Sequence, residues 1–121
     1  MSEAIYIVGG ARTPMGGLMG ALAPVTAPEL GSTAIKAAVE RANVDPSQID
    51  EVFMGCVLPA GLKQCPARQA ARKADLPDHV GAVTVNKACG SGMPATIFGT
   101  DSIRAGTNWG AVAAVLESMS N

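Results

Sequence analysis

The sequence predicts an α/β layer fold, a mostly parallel sheet with helices on its faces, in the order β-α-β-α-β-α-β. Short apolar runs alternate with stretches whose apolar residues recur at helical spacing. Gly, Pro, Asn and Asp mark the boundaries between them. Alanine and glycine abound while aromatics are only 3% of the chain, a composition suited to helices packed closely on a sheet.

The first strand is expected in AIYIVGG, residues 4–10, ended by Gly9 and Gly10. A Gly/Pro-rich loop, ARTPMGGLMGALAPV, follows. Thr26, Pro28 and Glu29 then mark a helix start, because a Thr with Glu three residues on can form a capping box. Leu30, Ala34, Ile35, Ala38, Val39 and Ala42 keep a helical stripe, which Asn43 closes. DPSQID is a turn into a second strand, EVFMGCV. Pro66 opens a second helix, PARQAARKAD, bounded by Pro77. AVTVN is β-branched and apolar, a third strand. A third helix is expected from about Gly90 to Ala105, with Gly106 where a terminating glycine belongs. GAVAAVL is the fourth strand.

At 121 residues the chain fits one domain able to bury a core. Hydrophobic content of 48% against 16% charge excludes a disordered chain. The formal charge is −1 with no basic cluster, which argues against nucleic acid as a partner. No apolar run reaches membrane-spanning length. Cys56, Cys65 and Cys89 are odd in number and irregularly spaced, so they suggest neither a disulfide framework nor a zinc site. The expected compartment is the reducing cytoplasm. The sequence stops at LESMSN, without a polar tail or a helix terminator.

In NKACGSGM, residues 86–93, a cysteine stands between the third strand and the third helix. In parallel α/β sheets ligands gather beyond the carboxyl ends of the strands, and Cys89 is expected there. A helix N-terminus stabilises a thiolate, which favours ionisation near neutral pH. Gly90 and Gly92 would let a bulky substrate approach the sulfur closely. Backbone N–H groups could stabilise an oxyanion when the thiolate attacks a carbonyl, an arrangement suited to acyl transfer through a thioester. A buried packing cysteine is the competing reading. Cys56 reads as core and Cys65 as a loop or N-cap residue.

A nucleophile needs a base. His79, the one histidine, falls in the turn before the third strand, roughly 20 Å from Cys89 at ordinary strand rise. It reads as a solvated turn residue. Arg68, Arg72 and Lys73 share one helix and could meet an anionic ligand, but read as a solvated face. Glu117 fits both a buried carboxylate beside a site and a surface acid. Trp109 reads as a cap on the last strand. GGARTPMGG lacks the spacing of a dinucleotide loop, and Gly16 to Gly20 has no membrane span around it.

Four blocks, VGGARTPMG, CPARQAA, TVNKACGSGM and DSIRAGTN leading to ESMSN, resemble the N-terminal part of the thiolases, the acetyl-CoA acyltransferase family. The resemblance runs along the whole chain and implies a thiolase-like half-domain over residues 1–121, incomplete without the loop and C-terminal half-domain. It implies that Cys89 takes the acyl group and that its backbone N–H helps hold the thioester oxygen. The implied substrate is an acyl-CoA, condensed to acetoacetyl-CoA or thiolysed, with no metal or redox cofactor and with assembly as a homo-oligomer, a dimer or tetramer. The family's Asn segment, Gly-His-Pro histidine and Cys-x-Gly-Gly cysteine do not occur here. Ala114, Val115 and Leu116 replace the usual Gly-Gly-Met and are expected to crowd their strand. Pro94 stands where a basic residue is common, and Cys65 where Asn is usual. A thiolase-like chain that binds or scaffolds without turnover is the alternative reading.

Overall fold

A computed structural model describes residues 4–120. Three parallel strands form the sheet: β1 (Glu51–Gly55), β2 (Gly81–Val85) and β3 (Ala111–Val115). The order is β2-β1-β3, so the first strand in sequence is central. Its register is unbroken, with Glu51 opposite Gly81 and Ala111, and Gly55 opposite Val85 and Val115. Helices α1 (Ala27–Ala42) and α2 (Pro66–Lys73) cover one face, and α3 (Gly92–Arg104) packs on β1 and β3 from the other.

Helix α1 follows its sequence signals closely. The Thr26 hydroxyl accepts from the Glu29 N–H, while the Glu29 carboxylate accepts from the Thr26 N–H. Asn43 closes the helix in the left-handed region at φ 54°. Helix α2 begins at Pro66, where a missing N–H costs no intrahelical bond. Its second N–H, at Ala67, has no intrahelical acceptor and is held by the Thr84 hydroxyl of β2. Pro94 is the third residue of α3, still inside the first turn, so its ring meets no preceding turn.

The continuous core lies between the sheet and the α1–α2 layer: Ile35, Val39, Val52, Met54, Ala67, Ala70, Ala71, Val80 and Leu116 among others. On the opposite face Phe53 packs against Gly99 and Ala95 is buried, while Ile97 and Phe98 remain about half exposed. The crowding expected at Ala114–Leu116 does not occur. Leu116 is buried against Gly31, where an added Cβ would stand 2.8 Å from the leucine Cδ2. Ala114 packs on the core, and Val115 points toward Gly92.

The expected first strand is corrected. Residues 4–10 form no ladder, and Tyr6, Ile7 and Val8 are largely exposed. The segment has strand composition, but among the described residues no neighbouring strand takes up its N–H and C=O groups. It is instead fastened to α1. Gly9 lies so close to Ala38 and Ala42 that a Cβ there would come within 3.0 Å of both, and Arg41 donates to the Gly10 carbonyl.

Candidate active site

Parallel strands end on one side, so the segments leaving β1, β2 and β3 converge at the carboxyl edge of the sheet. They are residues 56–58, 86–91 and 116–117. Central β1 holds both neighbours past their last paired residues: the Cys56 N–H donates to the Val85 carbonyl, and the Leu116 N–H to the Gly55 carbonyl.

Cys89 lies at this edge and is exposed, which decides against a packing role. Its local setting differs from the expectation, however. Helix α3 starts at Gly92, three residues later, so Cys89 rides on a turn rather than on the first helical residue. The N–H groups of Gly90, Ser91 and Met93 already donate to the carbonyls of Lys87, Ala88 and Gly90. Gly90 and Ser91 therefore belong to this turn and not to α3.

Three features hold the turn. Ala88 adopts φ 48°, a left-handed conformation that costs a non-glycine residue about 1 kcal/mol. Ser91, fully buried, accepts from the Lys87 N–H at 2.8 Å and donates to the Ala88 carbonyl at 2.6 Å. Asn86 accepts from the Ala88 N–H at 3.0 Å and donates its amide to the Val57 carbonyl at 3.2 Å. Gly55 makes room for Ser91, since a Cβ there would stand 2.8 Å from the Ser91 carbonyl carbon. Sequence reasoning missed Asn86 and Ser91. An Asn two residues before a turn N–H is an Asx-turn signal that could have found the first.

Glu117 is half-buried beside this turn, settling its two readings in favour of a carboxylate within the edge. One oxygen accepts from the Val57 N–H at 2.8 Å, the other from the Leu58 N–H at 3.1 Å and the Cys56 thiol at 3.6 Å. Burial, with the Glu117 charge adding to it, pushes the Cys56 thiol up to about 11. Cys56 is thus a buried, protonated donor, as core placement implies. Cys65 is the α2 N-cap at φ 42°, its sulfur 3.4 Å from the Thr84 hydroxyl.

His79 precedes β2 while Cys89 follows it, so the two stand at opposite ends, and the His79 Nε2 is 3.0 Å from the Ile49 carbonyl. Arg68 is not a solvated cation: it donates to the Val80 and Asp78 carbonyls. Arg72 pairs with Asp78 and bonds the Leu76 carbonyl. The Trp109 N–H and its successor's both donate to Asp50, so this residue caps the entry to β3 through its backbone. Among the described residues no cluster of His, Cys, Asp and Glu could hold a metal ion. No helix among them is long and apolar enough to cross a membrane.

Cys89 is thus an exposed cysteine on a strained turn past the carboxyl end of a parallel α/β sheet. Residues 5–121 match the family described as thiolase, N-terminal domain, and the chain belongs to the thiolase family. It is 54% identical over 117 residues to acetyl-CoA acetyltransferase 2 of Arabidopsis thaliana, covering 97% of this chain and 29% of that protein. It is 53% identical over 116 residues to an acetyl-CoA acetyltransferase of Cupriavidus necator, covering 96% and 30%. The chain therefore spans about 30% of the length of these relatives. Among solved structures, a thiolase from Ascaris suum in complex with coenzyme A superposes with a TM-score of 0.83 at 37% identity, over 85% of this chain and 27% of that one.

Proposed function

We propose that this chain is the N-terminal half-domain of an acetyl-CoA acetyltransferase and that Cys89 is its acyl-accepting nucleophile. The observation behind this is the exposed Cys89 on its latched turn, in a chain so similar to acetyl-CoA acetyltransferases. The Cys89 thiolate attacks the thioester carbonyl of an acyl-CoA. The bond from that carbon to the coenzyme sulfur breaks, coenzyme A leaves and takes up a proton, and the acyl group stays on Cys89. A second acyl-CoA then loses a proton beside its carbonyl, and the resulting carbanion attacks the acyl-cysteine. Acetoacetyl-CoA is released and the thiolate returns. Thiolysis is the reverse.

Removing the second proton needs a base within hydrogen-bond reach. His79 is at the far end of β2, and the Glu117 oxygens are engaged by Val57, Leu58 and Cys56. Condensation therefore requires groups from beyond these residues, supplied in a longer protein. Assembly as a homo-oligomer fits the uncovered edge of β2, whose outer side carries no strand among the described residues. A cytoplasmic setting agrees with three unpaired cysteines and with one relative named as cytosolic.

The test is to incubate the purified chain with acetyl-CoA, following acetyl transfer to protein and acetoacetyl-CoA formation separately. One acetyl group on Cys89 without sustained condensation is expected. Binding with no acetylation would favour a chain that scaffolds without turnover. Sustained acetoacetyl-CoA production, lost in Cys89→Ala, would show that the chain carries a base of its own.

A further inference from the structure

We infer that Glu117 is a positioning residue for the Cys89 turn, acting through the Val57–Leu58 peptides and the side chain of Asn86. The inference rests on the reading of Cys89 as nucleophile and adds what fixes its orientation. The links form one unbroken series across all three strand ends. Leaving β3, the Glu117 carboxylate takes the N–H groups of Val57 and Leu58. Leaving β1, the Val57 carbonyl takes the Asn86 amide. Leaving β2, the Asn86 oxygen takes the N–H of Ala88, whose left-handed conformation aims the next residue, Cys89.

Each link has a reason to be rigid. A carboxylate accepting two backbone N–H groups forms charge-assisted bonds, stronger than neutral ones. The peptide it orders has its carbonyl turned to Asn86, and that amide uses donor and acceptor at once. Ala88 would relax toward ordinary backbone if its N–H were released, since only surrounding bonds maintain such strain. The Ser91 hydroxyl braces the far side of the turn, so losing Glu117 loosens the turn without unfolding it. Glu117 touches no reacting atom in this scheme. Its effect reaches Cys89 only through the other two segments.

Amide hydrogen exchange by NMR and the rate of Cys89 alkylation by iodoacetamide, measured on the same chain, test this. Glu117→Gln keeps one acceptor oxygen and the side-chain volume, and Asn86→Ala removes the middle link. In Glu117→Gln, exchange should accelerate at Val57, Leu58 and also Ala88, while α1 amides keep their protection. Asn86→Ala should accelerate Ala88 and leave Val57 and Leu58 protected. Each variant should slow Cys89 alkylation about threefold to tenfold, the range expected for one lost hydrogen bond, with Cys65 unaffected. The double variant should be no slower than the slower single, because the residues act in series. Wild-type exchange at Ala88 in Glu117→Gln, multiplicative slowing in the double variant, or equal acceleration throughout α1 would each overturn the inference. Wild-type Cys89 reacting no faster than Cys65 would instead sink the nucleophile reading, leaving the exchange results to stand separately.

Discussion

Gly55→Ala probes the seam between the central strand and the turn that carries Cys89. Gly55 ends β1, and a methyl group there would come within 2.8 Å of both the Cβ and the carbonyl carbon of Ser91. Ordinary contact begins near 3.4 Å, so the turn must retreat by about 0.6 Å. Two of the three atoms met are backbone, and the Ser91 hydroxyl is bonded on both sides, so no rotamer change relieves the clash. Overpacking of this kind costs about 1–3 kcal/mol, and replacing a strand glycine returns about 0.5–1 kcal/mol. The net loss is about 1–2 kcal/mol. With an unfolding entropy of about 2.1 cal/mol/K per residue over 121 residues, Tm should fall by about 4–8 °C. Thermal unfolding followed by circular dichroism supplies that number. Alkylation of Cys89 in the folded variant should also change, because Ser91 carries the turn with it. A Tm within about 1 °C of wild type, with unchanged Cys89 reactivity, would refute the claim that Ser91 is clamped.

The pH dependence of stability should carry a signature of Cys56. Its thiol is raised to about 11 from 9.0, so the folded state keeps a proton that the unfolded chain releases. That contribution is complete below about pH 9 and is lost as pH rises toward 11. Urea midpoints should therefore drop between about pH 9 and pH 11 in wild type, and less in Cys56→Ala. Thr26→Ala removes the hydroxyl of the capping box and should cost about 1 kcal/mol in urea unfolding, with the loss confined to α1 by hydrogen exchange. Val83→Lys places a charge on the partly exposed edge strand β2, and sedimentation should show monomers where wild type self-associates. An unchanged oligomer in that variant would put the interface elsewhere.

Much of the fold is legible because local signals and tertiary demands agree. The capping box at Thr26 and Glu29, Asn43 at the end of α1 and Pro66 at the start of α2 all act where the sequence places them. The three apolar runs that became strands have neighbours to pair with. AIYIVGG carries the same signal, yet composition cannot say whether a partner strand stands beside it. The position of Cys89 past a strand was readable, but the turn was not. Its shape is set by Asn86, Ser91 and Gly55, residues brought together by packing. The Val57 and Leu58 N–H groups are backbone and leave no trace in side-chain identity. Arg68 was misjudged for a related reason, since its acceptors are carbonyls of the loop before β2.

The two faces of the sheet are unequal, and this has a dynamic consequence. The continuous core belongs wholly to the α1–α2 side, while α3 contributes nothing to it and leaves Met93, Ile97 and Phe98 exposed. Opening free energy follows buried apolar contact, so α3 is the layer that opens first, at a cost below that of global unfolding. Cys89 precedes α3 in the chain, yet its turn is tied to the central strand through Gly55, Val57 and Asn86. Cys89 therefore borrows its rigidity from the strand that carries the continuous core. Helix α3 can fray from its C-terminal end, or re-seat against a partner there, while the Ser91 clamp at its start keeps the Cys89 turn in place.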